Sequence, residues 1–391
     1  LVGVGTDTAQ VAWRGLDVGE LQLRCIEDDV EASVTVPLDR ARAAGAVHLD
    51  GLPSGRLLRL EVRAPGLPSE QGLLLARTLA APPGRELVRF ATVSDLHLGT
   101  EVFGQRGTLT DPVDHPDPHP VRCAEAAWDE AIAWGATRIV AKGDLTNLGQ
   151  PQEWRTFAGL VARGGVPVDA IPGNHDHARP GAHGALLPAE AARTWGLSMA
   201  QPLLVRDLPG VRLLLADTTV PSRHAGTLAH VADDLLDAAA DADPDGGVLV
   251  VLHHQLQPHA LAEGWPPGIP RQQTLPFLDR LGAAHPHAMV TSGHTHRHRR
   301  WGRAGVVVTQ VGSTKDYPGV WAGYAVHEGG IVQTVRRIER PDCIEWTDHT
   351  RLAAFGAWEH ASPGRLDARC FTLCWGGAPT GSAVQRAGST S

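Results

Sequence analysis

Val88-Arg89-Phe90-Ala91-Thr92-Val93-Ser94-Asp95-Leu96-His97 is the stretch on which the fold turns. Its first part, 88–93, reads as a buried strand, and two side chains able to bind metal follow at once. Asp95 and His97 alternate, so on extended backbone both project to one side. Working outward, the same arrangement returns along the chain. An apolar run at 138–141 precedes Gly143-Asp144, and one at 166–171 precedes Gly173-Asn174-His175-Asp176. A run at 248–252 precedes His253-His254, and one at 288–291 precedes Gly293-His294-Thr295-His296. Val211–Ala216 is a further strand candidate. Helix-like segments lie between them: Ala124, Trp128, Ala131 and Ile132 share a face with Pro120 near the start, and 152–162 is another. Such alternation predicts an α/β layered domain with ligands gathered beyond the carboxyl ends of strands.

The residue types at these strand ends point to metal chemistry. Two divalent ions about 3.5–4 Å apart need a bridging anion to offset their repulsion. Asp144 can bridge with its two oxygens, Asp95 and His97 complete one side, and Asn174 offers a neutral carbonyl oxygen. Mixed nitrogen and oxygen donors suit Mn, Fe, Zn or Co better than Mg or Ca. Glycines beside the donors let the backbone turn sharply. Taken singly, an Asp-x-His or a Gly-Asp is more often a loop feature than a ligand pair. A lone His294-Thr-His296 could be a solvated strand end. The whole set in this order is what carries the reading.

In the order Asp-x-His, Gly-Asp, Gly-Asn-His-Asp, His, Gly-His-x-His, the chain resembles the calcineurin-like metallophosphoesterases over roughly 89–338. The resemblance implies an αββα sandwich and a hydrolase with two divalent transition ions. Asp95, His97, Asp144 and His296 would hold one ion; Asp144, Asn174, His253 and His294 would hold the other. A hydroxide shared by the ions would attack phosphorus in line, and His175, not a ligand, would be the catalytic histidine near the leaving oxygen. Alignment from the preceding strand favours His253 over His254, although the proline usual two residues after the metal histidine is missing. Asp176 orients a neighbour or caps a turn. Gly143-Asp144-Leu145-Thr146-Asn147 carries no tyrosine, so the iron–tyrosinate site of purple acid phosphatases is not carried over, nor does it lead into the arginine of protein Ser/Thr phosphatases. The texts look more like bacterial phosphodiesterases, including those for cyclic nucleotides. The expected activity is therefore a phosphodiesterase on a small phosphoester. The alternatives are a phosphomonoesterase and, in another class, a catalytically inactive binding or scaffold protein.

The remainder fills in the organisation. The segment 1–80 reads as all-β, because Leu58, Leu60 and Val62 alternate with Arg59, Glu61 and Arg63 and shorter strand-like runs surround them. It looks like a small fibronectin type III-like sandwich. A linker follows at 81–86, then a catalytic domain at 87–340 and a C-terminal extension at 341–391 whose last ten or so residues read as disordered. Within the catalytic part, 100–120 is a Pro/His-rich insertion whose prolines exclude regular structure, either a surface loop or a lip facing substrate. Arg297, His298, Arg299 and Arg300 read as a solvated basic run. Asp217-Thr-Thr219 reads as lining the pocket, and Gly312-Ser-Thr-Lys315 as a turn.

Composition sets the outer bounds. The chain has 391 residues and a formal net charge of -8, which offers no general attraction to nucleic acid or anionic membranes. Histidine is the outlier, at 20 against 2 tyrosines and 2 methionines. High Ala, Gly, Arg and Trp also fit a GC-rich bacterial genome. The 5 cysteines form no disulfide framework or zinc pair, and Cys370 and Cys374 read as buried thiols, so a bacterial cytoplasm is expected. The first residue is Leu, which keeps a removed leader and a secreted origin open.

Overall fold

The computed structural model describes residues 1–39, 44–104, 107–177, 183–259 and 266–375. The opening stretch forms the strand Glu86–Val93, central in a seven-stranded sheet. On one side it pairs in parallel with Ile139–Lys142, then Val168–Ile171 and Ser198–Met199. On the other it pairs antiparallel with Val320–His327, then Gly330–Arg337 and Phe371–Cys374. A six-stranded sheet orders Leu203–Leu208, Val211–Ala216, Gly247–Val251, Ala288–Ser292, Val306–Gln310 and Arg299–Arg303.

Burial patterns explain why the two sheets stack. Ile139–Lys142, Val168–Ile171, Gly247–Val251 and Ala288–Ser292 are buried along their whole length, as strands covered on both faces must be. Phe90, Val140, Ile171, Leu213, Leu215, Val251, Met289 and Tyr324 fill the space between the sheets. Outside the larger sheet lie the helices His119–Ala133, Pro151–Arg163, Pro188–Trp195 and Pro341–Thr350, through Trp128, Trp154, Phe157 and Trp346. Outside the smaller lie Ala232–Ala240 and Arg271–Ala284, through Leu235, Leu236, Phe277 and Leu281. This is the αββα sandwich expected. Glu153 helps start the second of these helices, since its carboxylate accepts the Leu148 and Gln150 backbone N–H groups at 2.9 and 3.0 Å.

The N-terminal part is all-β, with a three-stranded sheet (Gly3–Val4, Thr8–Arg14, Ala44–Asp50) and a four-stranded one (Ser33–Leu38, Gly19–Cys25, Leu57–Arg63, Leu73–Arg77). Leu58, Leu60 and Val62 point inward and Leu57, Arg59 and Arg63 outward, as the alternation requires. This all-β part is tied to the larger sheet by Gln10. Its buried amide donates to the Arg337 carbonyl at 2.7 Å and accepts the Arg337 N–H at 2.8 Å.

Three expectations need correcting. Prolines do not exclude regular structure from the whole of 100–120: short strands Val102–Phe103 and Leu109–Thr110 pair, and the next helix already begins at His119. Pro120 sits in its first turn, where a missing N–H costs nothing. The basic run is only partly solvated. Arg299 and Arg300 are exposed on the edge strand, but His298 is buried and Arg297 half-buried. Of the two late cysteines Cys370 is buried and Cys374 only half-buried, and all five thiols are unpaired. The disorder expected for the last ten or so residues concerns positions outside those described.

Candidate metal centre

The opening strand ends at Val93, but Asp95 and His97 do not continue on extended backbone. Their φ values are 56° and 47°, in the left-handed region, which corrects the extended geometry expected for this motif. The cause is the neighbouring loop. His97 N donates to the Asp144 carbonyl at 2.8 Å, and Asp95 N to the Gly143 carbonyl at 3.1 Å, so the two loops run side by side. Asp144 (φ 49°), His294 (φ 68°) and His296 (φ 54°) are left-handed too. The glycines make room: a Cβ on Gly173 would stand 2.2 Å from Asp144 N, and one on Gly143 2.6 Å from the His253 ring.

All seven residues expected as ligands are brought together. His97 Nε2 lies 3.3 Å from His296 Nε2 and 3.5 Å from Asp144 Oδ2, and His296 Nε2 lies 3.4 Å from Asp95 Oδ1. On the other side His253 Nε2 lies 3.4 Å from Asp144 Oδ1, 3.3 Å from Asn174 Oδ1 and 3.1 Å from His294 Nδ1. Asp144 therefore turns one oxygen to each group. With ligand bonds of 2.0–2.2 Å, neighbouring donors on one tetrahedral or octahedral shell lie about 2.8–3.6 Å apart. The observed spacings fit that range on both sides, so the residues suit a pair of divalent transition ions.

Three of the four donor imidazoles are held from outside with one ring nitrogen facing the cluster. His253 Nδ1 faces the Lys142 carbonyl at 2.9 Å, which leaves Nε2 inward. His294 Nε2 faces the Pro267 carbonyl at 3.2 Å, which leaves Nδ1 inward. His296 Nδ1 faces Asp316 Oδ1 at 2.6 Å. Such outer partners fix tautomer and ring orientation. Between the neighbouring histidines, only His253 reaches Asn174 and Asp144. His254 is buried with Nδ1 on the Thr218 hydroxyl at 2.8 Å, while its Nε2 has no hydrogen-bond partner among the described residues.

The surrounding charges follow from burial and proximity. Burial works against charge on His253, but Asp144 overrides it and pushes its pKa up to about 9. Burial and the His253 charge bring His294 down to about 3. The Asp144 carboxyl, though buried, is held well below the usual carboxylate range by His253 and His175. Burial brings Lys142 down to about 7; its ammonium donates to the Ser292 carbonyl at 3.1 Å beneath the site.

His175 stands against the cluster, with a ring nitrogen within 4.8 Å of donor atoms of His97 and Asp144. Its ring is 4.5 Å from His97, its N–H donates to Asp144 Oδ1 at 2.8 Å, and its Nδ1 faces the Asn147 carbonyl at 3.1 Å. Asp176 accepts from the N–H groups of Leu145, Thr146 and Gly173 and from the Thr146 hydroxyl, which binds two ligand loops together. Thr219 meets His177 at 2.7 Å, and His224 Nδ1 lies 3.5 Å from Asn174. Lys315 is turned onto the Phe103 ring at 4.7 Å. Asp316, Lys142 and His224 were not picked out from sequence: none lies in a recognisable motif, although Asp316 follows the noted Lys315 directly.

Residues 88–298, just over half of the chain, match the family model for calcineurin-like phosphoesterases. The chain belongs to this family. Members use divalent metals, and the cluster just described is this calcineurin-like phosphoesterase's candidate site for them. It is 36% identical over 128 residues to a cAMP/cGMP dual specificity phosphodiesterase of Mycobacterium tuberculosis, covering 32% of this chain and 38% of that protein. It is 26% identical over 210 residues to a Synechococcus protein named "Probable cyclic nucleotide phosphodiesterase", covering 53% of this chain and 72% of that protein. The first three curated relatives are matched over 38%, 41% and 51% of their lengths. Among solved structures, a dimetal phosphatase from Danio rerio is similar at 14% identity and a TM-score of 0.47, over 65% of this chain and 98% of that one. Among the described residues no helix is long and apolar enough to cross a membrane.

Proposed function

We propose that this calcineurin-like phosphoesterase is a two-metal phosphodiesterase acting on a small phosphodiester, with cyclic nucleotides as the leading substrate class. The observation that carries the reading is the convergence of seven donor side chains from five loops at ligand-shell spacing, split between the two oxygens of Asp144. In this reading Asp95, His97, Asp144 and His296 hold one ion of the Mn, Fe, Zn or Co type, and Asp144, Asn174, His253 and His294 the other. When bound, two such ions supply a water acidic enough to attack near neutral pH and positive charge for the phosphoryl oxygens. The chain's own residues supply the rest. Asp144 holds the two donor sets in register. His175, anchored through the Asn147 carbonyl and beside His97, gives its proton to the leaving oxygen. The names of the cyclic nucleotide phosphodiesterase relatives support the substrate class.

The organisation proposed with it is a fibronectin type III-like domain at 1–80, a catalytic domain at 87–340 and an extension beyond. The three-plus-four strand sheets support the first of these, with a core drawn from residues 4–76 that Cys370 also enters. A cytoplasmic setting is proposed on the five unpaired cysteines.

The test couples metal analysis of the full chain to hydrolysis of a bis-aryl and a mono-aryl phosphate, with Asp144→Asn as control. Two ions per chain, preference for the diester and loss of activity in the variant are expected. Preference for the monoester refutes the substrate class, and an active metal-free protein refutes the mechanism.

A further inference from the structure

We infer that the C-terminal extension completes the metal centre: Trp358 fixes the His296 ring through Asp316, Ser362 holds the His296 backbone directly, and Asp316 and Trp358 are positioning residues for one of the two ions. The inference rests on the two-metal reading above. It begins with the carboxylate of Asp316, which is fully buried and has the Lys315 ammonium 3.9 Å from Oδ1. One oxygen meets His296 Nδ1 at 2.6 Å, and the other accepts the Trp358 indole N–H at 3.2 Å. The Ser362 hydroxyl lies 2.7 Å from the His296 carbonyl and 2.6 Å from the Tyr317 carbonyl, so the same histidine is gripped through its backbone.

The extension also clamps the loop bearing Asp316 at the residues on either side of it, Lys315 and Tyr317. Trp346 Nε1 donates to the Lys315 carbonyl at 2.5 Å, and Tyr317 N donates to the Thr350 hydroxyl at 2.8 Å. Residues 296 and 316 come from the loops after Ala288–Ser292 and Val306–Gln310, whereas 346–362 lie beyond the last long strand, Gly330–Arg337. Packing explains why the contact is firm rather than incidental. The Trp358 ring is held between the Phe103 ring at 5.9 Å and the Arg297 guanidinium at 5.3 Å. An indole packed by an aromatic ring and a guanidinium can aim its N–H, and a buried carboxylate with that partner is held toward His296. An imidazole whose outer nitrogen is held by a carboxylate is a stronger and better-aimed ligand, and loss of such partners costs about 10- to 100-fold in metal affinity.

The test strips the full chain with a chelator and titrates it with Mn2+ by calorimetry, alongside thermal unfolding. Wild type is expected to show two binding events. Asp316→Asn is expected to weaken one of them about 10- to 100-fold and leave the other unchanged. Trp358→Phe keeps the ring and loses the N–H; it is expected to weaken the same event about three- to tenfold at an unchanged unfolding temperature. Phe355→Ser, at a fully exposed position of the extension, leaves both events as in wild type. The inference is overturned if Asp316→Asn and Trp358→Phe bind two ions with wild-type affinity. It is equally overturned if both events weaken together with the unfolding temperature, since the extension would then be only a brace. A wild type that binds no ions would instead refute the two-metal reading itself.

Discussion

Replacing Asp176 by asparagine probes how the ligand loops are held. Asp176 is buried, and both oxygens are filled. Oδ2 accepts the N–H groups of Leu145 at 3.1 Å and Gly173 at 2.7 Å; Oδ1 accepts the Thr146 N–H at 2.7 Å and hydroxyl at 2.8 Å. An amide must turn its NH2 toward one of these pairs. Placed beside Thr146 it does least harm, because the hydroxyl can rotate and accept, and only the Thr146 N–H is then left without a partner. One buried orphan donor costs about 1–3 kcal/mol, and the two remaining bonds lose their charge assistance, so about 2–5 kcal/mol is expected in all. For a domain of this size that lowers the unfolding temperature by about 4–10 °C. The loops concerned carry Asp144, Asn174 and His175, so bound metal falls with stability. Thermal unfolding and metal analysis of purified Asp176→Asn read both quantities. A variant that unfolds within about 2 °C of wild type with full metal content would refute the claim that this carboxylate ties the loops together.

Further expectations follow from contacts outside the carboxylate tie. Gly173→Ala would place a Cβ 2.2 Å from the Asp144 backbone nitrogen, which cannot yield, so activity should fall about 100-fold while the far-ultraviolet spectrum stays native; normal turnover would contradict this. Gln10→Ala orphans the N–H and carbonyl of Arg337 and should cost about 2–4 kcal/mol, read by urea unfolding, where an unchanged midpoint would count against it. Burial pushes the Glu130 carboxyl up to about 7, so the folded state binds its proton more tightly than the unfolded chain and stability should fall as pH rises from about 4.5 to 7. Part of the side chain still meets solvent, so the decline is about 2 kcal/mol; Glu130→Gln should flatten it, and a persisting slope would refute the assignment.

Much of this was legible because it is local. Leu58, Leu60 and Val62 report their strand through a period of two, and each donor motif stands directly behind an apolar run. The helices with Trp128 and Trp154 were found from their spacing. What stayed hidden depends on contacts distant in sequence. Nothing beside Asp316 says that it will meet His296, and nothing beside Trp358 says that it will meet Asp316, because packing of the extension decides both. The strand Phe371–Cys374 is short and has its partner in Gly330–Arg337, so its period could not announce it. The assumption of extended backbone at Asp95 and His97 failed for a related reason. Strand geometry does not extend to Asp95 and His97, two and four residues past the last ladder pair at Val93, where the loop at 143–145 takes over the pairing.

That failure touches how the centre works. Five of the seven donors sit in left-handed backbone, a conformation that costs a residue with a Cβ roughly 1–2 kcal/mol. Aspartate tolerates it better than most, but histidine carries a bulky ring, and such geometry persists only where the surroundings over-determine it. They do so here. His97 N is held by the Asp144 carbonyl, His294 N by the Asp95 carboxylate at 3.0 Å, and the His296 carbonyl by Ser362. Donors thus hold one another's backbones as well as facing a common centre. A left-handed residue reverses the chain within one step, which lets side chains from parallel strands turn back toward a point between the sheets. Straight extension would send them past it. The strain therefore lies in the donor loops, while the stacked sheets and their helices supply the rigidity that sustains it.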